Sequence, residues 1–503
     1  MLKTVSKDIE ENLGYLKERL KDCDDIVYRQ VTIGQKEKRK LLFVLVDGLA
    51  SKDELSEHTI ENLMEEMDSL DGERLDNLKN EIVNHMIRER IANAEVKEEG
   101  NFETIIIQLL SGETIFFIDR QDKAIIIGSR GWQQRGIGEP QTETVIRGPR
   151  DGFTETLRTN TALIRRRIKD PKLKIKMTQV GRKSKTDIGI LYIEDIVNDD
   201  LLKQVQKRIE AVDIDAIVDS SMLEHLIEDN YKSLFPQIEN TERPDTAAAS
   251  LYEGRVAIIV DNSPFALIAP ATLGTLMQST EDYYSRWTEG TLIRFIRIIA
   301  VFLALLSPAL YISITAYHPG LLPTKLVYYV GASRINVPFP AVIEATIMEL
   351  TMELIRQAGT RISGPIGSTI GIVGGLIIGQ AAVEAGVVSN LMIIIVAITS
   401  IATFAIPSYE FGSAIRICKF GFIVLAGIFG LYGIMLGIIL LFSHLCKLES
   451  FGTPLTAPYS GLGIEDGDIQ DTLYKAPIQN LWKRPGFTRP KDKKRMKREK
   501  KNE

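Results

Sequence analysis

Cysteine, histidine and tryptophan are scarce in this 503-residue chain, with three, five and three copies. Cys23, Cys418 and Cys446 have no paired spacing, which argues against a disulfide scaffold, a CxxC redox pair or a zinc site and suggests a reducing compartment. His58, His85, His225, His318 and His444 are scattered, and no GxxxxGK[ST] loop, HExxH helix or GxSxG elbow occurs. No catalytic residue, cofactor or metal is expected, so the chain reads as a non-enzyme. The opening MLKTVSKDIEENLGYLKERLKDCDD lacks the apolar run of a secretory signal, so the first 280 residues are expected to stay in the cytoplasm.

Charge is missing from one region only. Residues 362–443 contain four charged side chains, Glu384, Glu410, Arg416 and Lys419, whereas residues 1–290 carry charge at ordinary density. The chain therefore divides into a two-part α/β or α+β N-terminal domain and an α-helical polytopic membrane domain. The expected boundaries are 1–135, 136–280 and 281–445, followed by a tail at 446–503. Eleven Lys/Arg against three Asp/Glu in residues 483–503 predict a basic, disordered end lying at an anionic membrane face.

Within the first part, Ile9, Leu13, Leu16 and Leu20 have helical spacing, and residues 41–49 and 113–128 read as strands. Helical patterns are expected at 51–68 and 74–96, and a linker at 131–143. The second part alternates helix (151–170), strands (172–181 and 186–195), an Asn/Asp-capped helix from Asn198, and a strand pair at 255–270.

Residues 298–317 form a 20-residue uncharged run, about 30 Å of helix, which matches a bilayer core. Further spans are expected at 368–388, 391–409 and 420–443, about four in all, with Pro308 and Pro407 as kinks. Arg286, Arg294 and Arg297 would hold the entry of the first span inside. The segment 340–359 is amphipathic, and Glu344, Glu349 and Glu353 make it too charged to face lipid. An interfacial or re-entrant helix, lining water in an oligomer, is expected there.

Two glycine patterns stand out. Gly371, Gly375 and Gly379 leave one helix face without bulk, and Gly427, Gly430, Gly433 and Gly437 repeat the device. Val373, Ile377, Gln380 and Glu384 fall on another face of the first helix. Ordinary packing within one protomer explains such a stripe. The sharper reading sets the stripe against an identical neighbour and makes the other face line an ion path. The segment FPQIENTERPD (235–245) reads as a loop or clamp, more readily a salt-bridge network than acid/base machinery, and Arg147, Arg150 and Arg165–Arg167 more readily form ion pairs than a phosphate or lipid site.

The stretches RGPRDGFTETLRTNTALIRRRI, LIEDN, FPQIENTERPD, GRVAIIVDNSPFALIAP, DYYSRW, VPFPAVIEATIMELTMELIRQAG, GIVGGLIIGQAAVEAG and FGTPLTAPYS follow one another from about residue 140 to 460. Together they resemble the A subunits of the GerA family of bacterial spore germination receptors. The resemblance implies a multi-pass protein of the inner spore membrane, working with a polytopic B subunit that binds nutrient and a lipoprotein C subunit. It also implies a homo-oligomer, a pentameric ring, that conducts cations when nutrient binds. Alternatives left open are a related sporulation-stage channel homologue, a solute transporter and a scaffold subunit.

Overall fold

The computed structural model describes residues 4–33, 39–49, 96–127, 138–140, 142–361, 375, 377–460 and 468–496. Val373, Gly371, the expected helices at 51–68 and 74–96 (save the last residue of the second), most of the 131–143 linker and residues 497–503 lie outside them. The chain divides into two compact units. One comprises 1–228, 238–270 and 482–503, and the other 229–237 and 271–481.

The first unit holds two five-stranded antiparallel sheets. In the first sheet, β1 (Ile26–Ile33), β2 (Arg39–Val46), β3 (Val96–Glu99), β4 (Thr114–Ile118) and β5 (Ala124–Ile127) lie in the order β1-β2-β4-β5-β3. Helices α1 (Ile9–Arg19) and α2 (Phe102–Leu110) belong to the same layer, and Asp8 and Asn101 cap their starts by accepting the N–H groups of Glu10 and Glu103. Leu16, Leu42, Val44, Phe102, Leu109 and Phe117 share one core. Each such buried side chain contributes about 1.5–3 kcal/mol.

The second sheet has the order β6-β7-β9-β10-β8, formed by Leu173–Val180, Thr186–Ile193, Glu239–Thr241, Val256–Val260 and Ala266–Ala269 for β6 to β10. Helices α3 (Leu157–Arg167) and α6 (Pro244–Tyr252) pack on it through Leu157, Ile164, Ala247 and Leu251. Between them in sequence come α4 (Asp199–Glu210) and α5 (Ser220–Ile227). Asn198 caps α4 as its sequence predicts, accepting from the N–H groups of Asp200 and Leu201.

The expected disorder of the basic tail is not what the structure shows for residues 482–496. Phe487 is buried, Thr488 donates its hydroxyl to the Glu253 carbonyl at 2.8 Å, Lys491 pairs with Asp199 at 2.7 Å, and the Arg484 guanidinium donates to the Tyr252 carbonyl at 2.9 Å. Acidic and carbonyl oxygens of the first unit thus neutralise a segment whose charge, taken alone, signals a solvated chain.

The second unit is helical: α7 (Trp287–Ile312, continued by a π turn to Tyr317), α8 (Thr324–Arg334), α9 (Ala341–Arg361), α10 (377–384), α11 (Asn390–Phe404), α12 (Tyr409–Phe429) and α13 (Leu431–Lys447). Among the described residues, the segments Trp287–Tyr317 and Tyr409–Phe429 are long and apolar enough to cross a membrane. The sequence expectation of one helix over 420–443 is corrected here. Gly430 adopts φ +60° and ψ −139°, a conformation that side chains resist, and α12 turns back into α13. Pro407 likewise lies between α11 and α12 instead of kinking a helix, whereas Pro308 does sit inside α7. The expected break at Ser389–Asn390 is present, with the Ser389 hydroxyl accepting from the Met392 N–H.

The segment after 446 belongs with these helices. Leu448 and Leu455 enter their core beside Phe235. The hairpin of β11 (Glu449–Ser450) and β12 (Thr453–Pro454) is pinned by Ala271 N–H to Ser450 Oγ at 3.0 Å and Phe451 N–H to the Asp229 carboxylate at 2.8 Å.

Candidate functional site

Helix α10 presents two unlike faces. Gly379 is buried, and a methyl group there would meet Ile393 of α11 at 3.7 Å, while one at Gly375 would meet Met352 of α9 at 3.8 Å. Gly375 and Gly379 thus lie within van der Waals reach of helices of their own protomer, and Gly371 lies outside the described residues. The opposite side is bare: Ile377 is 60% exposed, and Gln380 and Glu384 are exposed with Gln380 donating to the Glu384 carboxylate at 3.1 Å.

The second glycine set is also used internally. A side chain at Gly427 would strike Val342 of α9, Gly430 lies against Tyr317, and side chains at Gly433 and Gly437 would strike Leu425 and Phe422 across the α12–α13 hairpin. These glycines do not form one face of one helix, because Gly430 ends the first arm.

Helix α9 is not a loose amphipathic segment. It runs antiparallel to α12, with Val342 near Gly427, Glu349 paired with Lys419, and Glu353 facing Arg416. Glu344 is fully buried and accepts the Ser389 N–H at 2.6 Å and the Ser389 hydroxyl at 2.5 Å; Tyr311 shares a 3.1 Å hydrogen bond with that same hydroxyl. Arg356 pairs with Glu353 one turn away on the same helix. The acids expected to line water in an oligomer thus face cations and hydroxyls of their own helices.

The arginines before the first span have partners too. Arg297 and Arg294 converge on the buried Asp282 carboxylate at 2.9 and 3.2 Å, and Arg294 also reaches Asp471 at 3.3 Å. Lys475 donates to the carbonyls of Asp282 and Ser285, and burial, with help from nearby Arg294, lowers its pKa. Asp282, within DYYSRW, is the residue that sequence reasoning passed over; an acid 12 and 15 residues ahead of two arginines was the available signal. Arg294 and Arg297 are not free charges awaiting a lipid headgroup.

In the first unit, Arg165 is fully buried and donates twice to Asp25, both at 3.0 Å, while Arg166 and Arg167 pair with Asp151 and Arg150 with Glu139. In 235–245, Phe235 enters the helical core, Glu239–Thr241 forms edge strand β8, and Arg243 pairs with Asp245 at 2.9 Å. Thr241 donates to the Glu143 carboxylate at 2.6 Å, whose pKa burial pushes up to about 7. A structural network, not an acid/base centre, occupies this segment.

A family described as "Bacillus/Clostridium GerA spore germination protein" matches residues 14–487. This chain belongs to the GerA family. It is 39% identical to spore germination protein KA of Bacillus subtilis (strain 168) over 98% of this chain and 89% of that one. To spore germination protein GerLA of Bacillus cereus it is 41% identical, over 97% of this chain and 96% of that one. Among solved structures, the N-terminal domain of the A subunit of the Bacillus megaterium spore germinant receptor GerK3 aligns with 54% of this chain and 98% of its own length, at 30% identity and a TM-score of 0.41. Within the family the chain is an A-type receptor subunit.

Proposed function

We propose that this GerA-family subunit acts in the inner spore membrane, where copies assemble around a gated cation path lined by the bare face of α10. The observation that carries the reading is the division of that helix: its glycines are spent on α9 and α11, while Ile377, Gln380 and Glu384 are left without cover in an otherwise apolar region. An exposed carboxylate there is costly in lipid and favourable beside water and cations.

In this reading α7 leaves the cytoplasmic side, α9 returns, α10 leaves, α11 returns, and the α12–α13 hairpin leaves and returns. Two observations support the path. Tyr317 at the end of α7 and Val342 at the start of α9 both meet the Gly427–Gly430 turn. The even number of passes also returns the chain to the side from which it left, in keeping with the grouping of residues 482–496 with the N-terminal unit. Charges on α9 are tolerable in such a crossing because α12 supplies Lys419 and Arg416.

The GerK3 protein is described as a germinant receptor A subunit, which supports placing this chain in a receptor complex with a nutrient-binding B subunit and a lipoprotein C subunit. Nutrient would open the path by binding the open arrangement better than the closed one. The test is cation flux through the full chain in lipid vesicles. Ile377→Ala is expected to leak without nutrient, and Glu384→Gln to conduct with reduced preference for cations over anions. Unchanged flux and selectivity in both would remove α10 from the path.

A further inference from the structure

Residues 229–237, between α5 and β8 in the chain, group with the helical unit. Two sets of contacts fix where. The buried Phe235 ring lies 5.9 Å from that of Phe411 in the first turn of α12 and 6.2 Å from that of His444 in the last turn of α13. The Ser233 hydroxyl accepts the Phe235 N–H at 3.1 Å and lies 3.1 Å from His444 Nε2. The loop is therefore held where α12 begins and α13 ends.

The face of α13 that it meets changes character at this point. Leu440, one turn before His444, is an exposed apolar side chain, and Lys447, three residues after it, is an exposed cation. Positions three and four apart share a helix face, so one face runs from apolar to charged across His444. In the path proposed above, on which this inference rests, such a change marks the rim of the bilayer core at the cytoplasmic end.

Two large side chains of the loop are left uncovered there. Tyr231 is 76% and Leu234 49% exposed, although Phe235 beside them is buried. Lys232 stands between them with its ammonium 5.6 Å from the Tyr231 ring, and the nearest acid in sequence, Asp229, accepts the Phe451 N–H at 2.8 Å. A ring with a polar tip, a branched apolar side chain and a long-stemmed cation make up the composition that settles between headgroups and acyl chains. Leu440 on the same face of α13 meets acyl chains in that path, and continuity with this surface selects a lipid leaflet over a protein partner.

We propose that residues 231–234 are a membrane-interface anchor: Tyr231 and Leu234 enter the boundary of headgroups and acyl chains beside the end of α13, and Lys232 meets the phosphates of anionic lipid. Lys447 adds a cation at the same rim and the exposed Glu449 of β11 offsets it. The apolar pair thus supplies most of the attachment and Lys232 tunes it. Through Ser233 and Phe235, the cytoplasmic ends of α12 and α13 sense the charge of the leaflet.

The test uses the full chain with Cys23, Cys418 and Cys446 replaced by Ser, in bilayer discs of equal parts phosphatidylcholine and phosphatidylglycerol, open to water on both faces. Single Tyr231→Cys, Leu234→Cys, Phe442→Cys and Gly14→Cys variants carry a bimane probe, quenched by spin-labelled lipid from within the bilayer or by iodide from water. Phe442 is an exposed side chain of α13 and Gly14 has open space about it. Probes at 231, 234 and 442 are expected to be quenched by lipid, and the probe at 14 by iodide alone. With the probe at 234, Lys232→Gln is expected to lower the ratio of lipid-quenched to free probe about fivefold, the scale of one lysine at an anionic leaflet, and to change nothing in phosphatidylcholine alone. Tyr231→Ser is expected to lower that ratio in both lipids. Iodide quenching at 231 and 234 with lipid quenching at 442 would overturn the anchor and leave the membrane path standing. Shielding of 231 and 234 from both quenchers would do the same, since a protein surface then covers the loop. Absence of lipid quenching at 442 would overturn the path and the anchor with it.

Discussion

Both units bury ion pairs, and within each unit the pairs differ in how completely they are satisfied. In the sheet unit, Arg165 spends Nε and Nη2 on Asp25 and gives Nη1 to the Leu173 carbonyl at 3.0 Å, and none of its nitrogens is left over. In that same unit Arg243, paired with Asp245, keeps its buried Nε without a hydrogen bond, and in the helical unit Arg294 and Arg297 share Asp282 with no atom left over, while Glu344, Glu349, Arg334 and Arg416 each retain a buried atom without a hydrogen bond. Taking charges out of water is repaid only when geometry and the remaining hydrogen bonds are complete. Arg165–Asp25 therefore acts as a fixed joint between α3 and the start of β1. The pairs of α9 with α12 are less completely satisfied.

The most damaging way to challenge this contrast is to break the fixed joint. Arg165→Ala leaves Asp25 buried without its cation, and a loss of about 3–5 kcal/mol is expected from chemical unfolding of the full chain in detergent. A loss below about 1 kcal/mol would mean that the pair is not a joint at all. A smaller effect is expected from the helical hairpin. Gly437→Leu pushes a side chain into Phe422, and overpacking of this kind costs about 1–3 kcal/mol, read as a lower melting temperature, whereas Gly14→Leu, which meets nothing within 4 Å, is expected to be close to neutral.

The mildest effect concerns pH. Burial raises the Glu143 pKa from its usual 4.5 to about 7, so the folded chain holds that proton more tightly than the unfolded one. The resulting stability is fully present below about 4.5 and is lost as pH rises toward and through 7. Glu143→Gln should flatten stability against pH over that window. An unchanged slope would show that burial does not hold the Glu143 proton as described.

Much of the layout was legible in the sequence because its signals are local. Asn198 before an amphipathic run capped α4, the alternation across 172–195 became the β6–β7 hairpin, and Ser389 began α11. What was missed depends on contacts distant in sequence. The charge on 340–359 reads as solvent-facing because nothing nearby in sequence neutralises it; Lys419 and Arg416 do so from 70 and 63 residues away. The basic tail read as solvated because its partners, Asp199, Tyr252 and Glu253, lie far upstream.

The most direct test of the account is chemical access to the bare face of α10 during conduction. In full chains lacking the native cysteines, Ile377→Cys, Gln380→Cys and Glu384→Cys should each react with a charged, water-borne thiol reagent and lose cation flux, while Gly379→Cys, turned toward Ile393, should not react. Flux that persists after mass spectrometry confirms modification at 377, 380 and 384 would contradict it.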